Sequence, residues 1–192
     1  MDGLFVDGMT MCWWIKFLWG HSIPRLSFDM TGMAVDLFDR LEKSNETIYF
    51  VGARPEDIEN TIRQIQIAYP HMKVKGFRNG YFNSSKERQE EIQNIVSSNP
   101  NFTIIGMGTG LQEQFAIDLK NAGYKGIVFT CGGFLHQTVN NINYYPDWIN
   151  KYNLRAFYRL YKEKGLFKRL YYVLLEFPFL FTLDSIKTRL SK

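Results

Sequence analysis

The chain has 192 residues and a formal net charge of +4 at pH 7; 45% of its residues are hydrophobic and 22% are charged. These fractions are ordinary for a globular protein and exclude wholesale disorder, and the length suffices for one domain with a core plus a small appendage. The two cysteines, Cys12 and Cys131, form no C-x-x-C pair. This argues against a disulfide scaffold or a zinc site and fits a reducing compartment.

Positive charge is concentrated in the C-terminal tail. Residues 151–192 contain ten Lys/Arg and three Asp/Glu, a net charge of +7, whereas residues 1–150 sum to −3. A basic tail predicts an anionic partner. The most apolar run, residues 170–183, contains Glu176 and Pro178 and is shorter than the roughly 20 residues of a spanning helix. The apolar N-terminal run contains Lys16 and no small-residue cleavage site follows it, so we predict neither a spanning helix nor a signal peptide.

Helices are predicted over residues 9–19 and 30–43, with Gly20 and Pro24 between them. Four short β-rich runs then alternate with segments in which apolar residues recur at helical spacing. The predicted strands are residues 47–52, 72–76, 102–106 and 126–130, and the helices between them start near Pro55, at residue 86 and near Leu111. Such alternation predicts an α/β fold, a parallel sheet with helices on both faces.

The composition changes after Pro146. Residues 147–181 are rich in aromatic residues and Lys/Arg and predict two amphipathic helices divided near Gly165. We therefore predict a core over residues 1–147 and a basic, aromatic helical appendage over residues 148–192. The apolar residues of this tail favour a membrane surface over nucleic acid.

Glycine turns follow the predicted strands, and ligands of parallel sheets bind beyond the carboxyl ends of the strands. The sequence GMGTG at residues 106–110 offers backbone N–H groups at a helix start, which favour an anion. A tight turn that binds nothing explains the same glycines equally well. A nicotinamide-dependent oxidoreductase is disfavoured, because the G-x-G-x-x-G spacing and the acid about 20 residues further on are missing.

Several polar or aromatic side chains lie at this predicted edge. Gln112 and Glu113, in the first helical turn after GMGTG, can reach a bound base or sugar, or can be solvated helix-start residues. The loop with Gly80 and Tyr81 can close over a ligand or tuck its aromatic residues beneath itself. His136 suits a structural role, proton transfer or phosphate binding.

Asp7 and Arg25 stand near the start of the chain, each beside a glycine or proline turn. An aspartate in a loop can take a proton from a hydroxyl group, and an arginine can hold a phosphate, although both are also common as caps or surface charges. No D-x-D pair and no His/Cys/carboxylate cluster with ligand spacing occurs, so the sequence demands no metal.

The chain resembles the WecG/TagA/CpsF family of bacterial glycosyltransferases, in order and over nearly its whole length. The motifs are VDG (6–8), PRLSFD (24–29), YFVGARPE (49–56), GFRNGYF (76–82), GMGTGLQEQF (106–115), CGGFLHQT (131–138), INYYPDW (142–148) and NLRAFYRLYKE (153–163). The resemblance implies a Rossmann-like core with a C-terminal appendage that touches the membrane. It also implies an inverting, metal-independent and cofactor-free transfer of an N-acetylhexosamine-type sugar, such as N-acetylmannosamine, from a UDP-sugar to an undecaprenyl-diphosphate-linked acceptor.

Such enzymes serve cell-surface polysaccharide synthesis. The expected place is therefore the cytoplasm, peripheral on the anionic inner face of the plasma membrane; a homo-oligomer is left open. The resemblance implies Asp7 as catalytic base, Arg25 as an active-site arginine and Arg159 as a basic residue of the appendage that meets diphosphate. The expected substrate-binding residues are Gly52, Gly80, Tyr81, Gly106, Gly108, Thr109, Gln112, Glu113, Gly133, His136, Lys168 and Arg169.

The sequence departs from the family pattern at several places. Gly110 stands where proline is common, Phe28 where glycine is common, and His136 lies near a position where many members carry Asp. Family members also have several tens of residues before the element that contains Asp7. This leaves an alternative function, a catalytically impaired nucleotide-sugar-binding protein or a subunit for which another chain supplies the missing part.

Overall fold

The computed structural model describes residues 3, 5–152, 154–162, 172 and 176–190. Two compact units are present. One combines Met1–Ser27 with Tyr145–Lys192, and the other is Phe28–Tyr144. The domain boundary near residue 147 stays a prediction.

Helices and strands alternate through the larger unit. In chain order the elements of the whole chain are α1 (Met9–Trp19), α2 (Met33–Glu42), β1 (Thr47–Gly52), α3 (Ile58–Ala68), β2 (Lys73–Arg78), α4 (Ser85–Ser98), β3 (Phe102–Gly106), α5 (Leu111–Asn121), β4 (Ile127–Thr130), α6 (Phe134–Gln137), α7 (Asp147–Lys151), α8 (Arg155–Lys162) and α9 (Phe177–Leu190). The four strands pair in parallel in the order β2-β1-β3-β4. The predicted α/β, Rossmann-like fold is confirmed.

Both faces of the sheet are covered, as predicted. Successive residues of a strand point to opposite faces, so Phe50 and Ile104 belong to one buried cluster, together with residues of α2, α3 and α6. Val51 and Ile105 belong to a second cluster, with residues of α4 and α5. Burial on both faces explains why β1 and β3 are continuous apolar runs rather than alternating ones.

Some boundaries differ from those expected. Helix α3 begins at Ile58 rather than near Pro55, because residues 55–57 form a turn. Strand β2 continues to Arg78, because its pairing with β1 extends to Val51 opposite Arg78. Helix α4 begins one residue early, at Ser85, where the Ser84 hydroxyl caps it by accepting a hydrogen bond from the Glu87 amide at 3.1 Å.

The smaller unit contains α1, α7, α8 and α9. Helix α1 has the predicted bounds and ends at Gly20, whose φ of +73° lies in the left-handed region. The Trp19 indole nitrogen donates a hydrogen bond to the Ser185 hydroxyl at 3.2 Å, which ties α1 to α9. Gly165, the predicted division between the tail helices, lies outside the described residues. Among those that are described, no helix is long and apolar enough to cross a membrane.

Candidate functional site

The carboxyl ends of β1 and β3 lie so close together that only glycine fits there. A Cβ on Gly52 would lie 2.4 Å from the Gly106 carbonyl oxygen, and the φ of Gly52 is +150°. The next amide, that of Ala53, donates to the Gly106 carbonyl at 3.3 Å, and the Gly80 amide donates to the Ala53 carbonyl at 3.0 Å. Three loops therefore meet at one edge of the sheet.

The turn between β3 and α5 presents backbone amides. Gly108 and Gly110 have φ values of +82° and +89°, which glycine adopts without strain. Within the described part of the chain, the amide groups of Met107, Gly108, Thr109 and Leu111 donate to no acceptor. Amides of this kind at the start of a helix attract an anion.

The side chain of Gln112 points into the protein. It is 6% exposed, its Oε1 accepts a hydrogen bond from the Gly132 amide at 3.1 Å, and its Nε2 donates to Glu113 Oε1 at 2.7 Å. The second oxygen of Glu113 accepts from the Gly110 amide at 2.5 Å. Both side chains thus lie at the predicted edge and bond to protein groups there.

The loop between β2 and α4 tucks in one aromatic ring and exposes another. Phe82 stacks on Phe115 with ring centroids 5.8 Å apart, and the Arg78 guanidinium lies over Phe82 at 4.6 Å. Glu87 binds both Arg78 and, at 2.5 Å, the Asn83 amide. Tyr81 is 61% exposed. The loop is therefore held in place by the packing of Phe82 and presents an accessible aromatic ring at its tip.

The turn after β4 leads into the short helix α6. Gly133 precedes this helix, and His136 within it lies with Nδ1 3.1 Å from the Asp57 carboxylate. Asp57 was not among the predicted site residues; its only sequence signal is its place before α3, which is common for a helix-start acid. Burial raises the pKa of the Cys131 thiol to about 12, so this thiol stays protonated at neutral pH.

The smaller unit contains the other predicted residues. Arg25 and Asp7 form an ion pair with Nη2 and Oδ1 2.8 Å apart, and the Asp7 side chain is 73% exposed. The second oxygen of this carboxylate has no partner among the described residues. Arg159 lies in α8 and is half-buried, while Lys168 and Arg169 lie outside the described residues.

No group of three or more His, Cys, Asp or Glu side chains in the described ranges could hold a metal ion. Metal independence nevertheless stays a prediction, because metals are also bound jointly by protein and substrate phosphates.

A parallel α/β sheet with glycine turns beyond its central strands is the architecture of many nucleotide-dependent enzymes. The chain belongs to the glycosyl transferase WecG/TagA/CpsF family, whose model matches residues 1–191. The resemblance seen in the motifs is therefore confirmed, and with it the class of enzyme.

Three curated relatives are similar over most of this chain. A Shigella boydii protein named UDP-Gal:alpha-D-GlcNAc-diphosphoundecaprenol beta-1,4-galactosyltransferase is 30% identical over 171 residues, which are 89% of this chain and 72% of the relative. A Bacillus subtilis N-acetylglucosaminyldiphosphoundecaprenol N-acetyl-beta-D-mannosaminyltransferase is 27% identical over 70% of this chain. Its Bacillus spizizenii counterpart is 22% identical over 70%. The chain spans 53% and 51% of these two Bacillus relatives.

Proposed function

We propose that this protein transfers a sugar from a UDP-sugar to an acceptor in which N-acetylglucosamine is linked to undecaprenyl diphosphate, as a step of cell-surface polysaccharide synthesis. The family match over residues 1–191 carries the proposal. The names of all three relatives contain this acceptor, although they differ in the sugar transferred. The shared acceptor is the better supported half of the reaction.

The proposed donor is a UDP-linked hexose or N-acetylhexosamine. N-acetylmannosamine is the sugar that the family resemblance implies and that the names of both Bacillus relatives contain. Galactose is named for the Shigella boydii relative, which aligns over more of the chain and at higher identity. UDP-galactose and UDP-N-acetylmannosamine are therefore the two donors to compare.

The proposed binding site of the donor diphosphate is the turn between β3 and α5. Its support is the row of amides at the start of α5 that donate to no acceptor among the described residues and the attraction of such a helix start for anions. A diphosphate bound there is stabilised without a metal ion, because backbone dipoles offset its charge.

Asp7 is the proposed general base and Arg25 its orienting partner. The ion pair holds one oxygen of Asp7, and the accessible second oxygen suits proton removal from the acceptor hydroxyl. Attack on the face opposite UDP inverts the anomeric carbon, which agrees with the β products in the relatives' names. Arg159 is proposed to offset negative charge on the leaving or acceptor diphosphate.

The proposed location is the anionic inner face of the plasma membrane. Helix α9 exposes Phe179, Leu183 and Ile186 at spacings of four and three residues, whereas Ser185 is buried. An exposed apolar stripe of this kind suits contact with a membrane interface. The charge of +7 over residues 151–192 adds attraction to anionic lipid.

The test is product formation from lipid-linked N-acetylglucosamine with each of the two donors, in the presence and absence of EDTA. We expect turnover with one donor that EDTA leaves unchanged. Asp7→Asn should lower kcat by about 10²–10⁴, while the exposed Asp36→Asn serves as the matched control. Wild-type turnover in Asp7→Asn contradicts the base, and UDP binding without turnover favours the nucleotide-sugar-binding alternative.

A further inference from the structure

The two polar atoms of the Gln112 side chain are both committed inside the protein. Oε1 faces the Gly132 amide, which can only donate, and Nε2 faces the Glu113 carboxylate, which can only accept. The neighbouring groups therefore fix the orientation of this side-chain amide. The side chain is 6% exposed, so little of its remaining hydrogen-bonding capacity is accessible to a nucleotide.

Glu113 continues the same chain of hydrogen bonds. One carboxylate oxygen accepts from Gln112 and the other accepts from the Gly110 amide. The result is an unbroken path from Gly132 after β4, through two side chains, to Gly110 before α5. Such charge-assisted bonds are shorter and stronger than bonds between neutral groups.

Both ends of this path are glycines in the left-handed region, Gly110 with φ +89° and Gly132 with φ +56°. Glycine has the widest choice of backbone conformations, so turns of this kind need external restraint to keep one shape. The two turns also touch each other, because a Cβ on Gly106 would lie 2.9 Å from Cys131 Sγ and 3.2 Å from the Gly132 carbonyl oxygen.

We infer that Gln112 and Glu113 are positioning residues that hold the two glycine turns in one geometry and thereby aim the amides of Met107, Gly108 and Thr109 at the donor diphosphate. We name the path Gly132–Gln112–Glu113–Gly110 the glycine clamp. It deepens the proposed function, on which it rests for the identity of the nucleotide, and it replaces direct nucleotide contact by Gln112 and Glu113 with an effect exerted through the backbone.

The clamp is tested by two single variants, Gln112→Glu and Glu113→Gln, and by the double variant that combines them and so swaps the two side chains. Gln112→Glu places two carboxylates face to face, and Glu113→Gln places an amide donor against Gln112 Nε2 or against the Gly110 amide. In the double variant, Glu at 112 accepts from the Gly132 amide and from Gln at 113, whose oxygen accepts from the Gly110 amide. Every hydrogen bond of the clamp is then matched again, at unchanged net charge.

The measurement is the affinity for UDP by calorimetry, at a temperature where circular dichroism shows every variant folded. Each single variant should bind UDP about tenfold more weakly, the loss expected for one charge-assisted hydrogen bond. The double variant should recover to within about threefold of the wild type. Gln93→Glu, the same change at an exposed position of α4, is the matched control and should bind like the wild type.

A double variant that binds no better than the single ones overturns the clamp, because direct contacts depend on which position carries the amide and which the carboxylate. Single variants that melt earlier yet bind UDP like the wild type also overturn it, since the pair then only stabilises the fold. Hydrogen exchange of the Gly132 amide tests the clamp without UDP. It should accelerate at least about tenfold in Gln112→Met and recover in the exchanged double variant.

The two proposals fail differently. A wild type that binds no UDP overturns the proposed donor. The hydrogen-exchange rate of the Gly132 amide then tests the clamp independently. Unchanged exchange of that amide in Gln112→Met overturns the clamp even where UDP binds and sugar is transferred.

Discussion

Gly52 is the residue on which the geometry of the candidate site depends most directly. Its φ of +150° and the 2.4 Å approach of a Cβ to the Gly106 carbonyl oxygen leave no room for a side chain. We expect Gly52→Ala to lower the free energy of unfolding by about 3 kcal/mol or more, because backbone strain and a backbone clash add. Urea denaturation followed by circular dichroism measures this change.

Gly133→Ala is the control for Gly52→Ala. Gly133 has a φ of −87°, and the nearest atom to an added Cβ belongs to the flexible Gln137 side chain at 3.5 Å. Its free energy of unfolding should stay within about 0.5 kcal/mol of the wild type. Similar losses in the two variants would contradict the steric argument.

Cys131 should make stability sensitive to alkaline pH. Burial raises the pKa of its thiol from 9.0 to about 12, so between these values the fold keeps the thiol protonated while the unfolded chain ionises. The unfolded state then binds fewer protons, and the free energy of unfolding falls as pH rises, by up to about 1.4 kcal/mol per pH unit. Denaturation series between pH 8.5 and 10.5 should show a smaller slope in Cys131→Ala.

Burial also raises the pKa values of Tyr49 and Tyr124. These two residues therefore make the free energy of unfolding fall with pH in both the wild type and Cys131→Ala. The comparison therefore rests on the difference between the two slopes. Equal slopes would show that the Cys131 thiol does not titrate between the folded and unfolded states as described.

At the scale of elements, the loop between β2 and α4 is held by the stack of Phe82 on Phe115 and by Arg78 over Phe82. Phe82→Ala should lower the free energy of unfolding by about 2 kcal/mol, since a half-buried ring and its aromatic contact are lost. It should also accelerate hydrogen exchange of the Gly80 amide, which donates to the Ala53 carbonyl. Denaturation and exchange mass spectrometry measure the two effects.

Tyr81→Ala is the matched control in the same loop. The Tyr81 ring is 61% exposed, so its removal should change stability by no more than about 0.5 kcal/mol. If Gly80 exchanges at the wild-type rate in Phe82→Ala, then the ring stack does not hold the loop.

Strands and helices were largely predictable from the sequence because their signals are local. The runs at residues 47–52 and 102–106 are apolar and end at glycine, and β1 and β3 have those bounds. Boundaries that depend on a partner were missed. Strand β2 extends to Arg78 because β1 continues beside it, and no local feature of its sequence shows this.

The candidate site was predictable only in outline. The glycine turns could be placed at one sheet edge, because the carboxyl ends of parallel strands share an edge. The pairing of His136 with Asp57 joins residues 79 apart in sequence, and that of Gln112 with Gly132 joins residues 20 apart. Such pairs follow from the strand order, which alternation alone does not determine. The roles of Gln112 and Glu113 in ligand binding stay predictions.

At the scale of the whole molecule, the proposed membrane contact of the C-terminal tail rests on the charge of residues 151–192 and on the exposed apolar side chains of α9. The triple variant Phe179→Ser/Leu183→Ser/Ile186→Ser removes three exposed apolar side chains of α9. It should bind vesicles that contain anionic lipid at least about tenfold more weakly, because each side chain contributes on the order of 1 kcal/mol on insertion. Vesicle flotation measures the bound fraction.

The control for the triple variant is Ile67→Ser on α3, which removes an apolar side chain that is 65% exposed in the larger unit. It should bind vesicles like the wild type. Equal loss in both proteins would mean that apolar exposure alone, wherever it lies, drives the binding.

The charge of the tail predicts that vesicle binding also depends on salt concentration. Raising the salt concentration from 0.1 to 0.5 M shortens the reach of the seven net positive charges of residues 151–192 and should release the wild type in part. The triple variant keeps those charges and should lose its residual binding completely at the same salt. Salt-independent binding of the triple variant would place the membrane contact elsewhere in the chain.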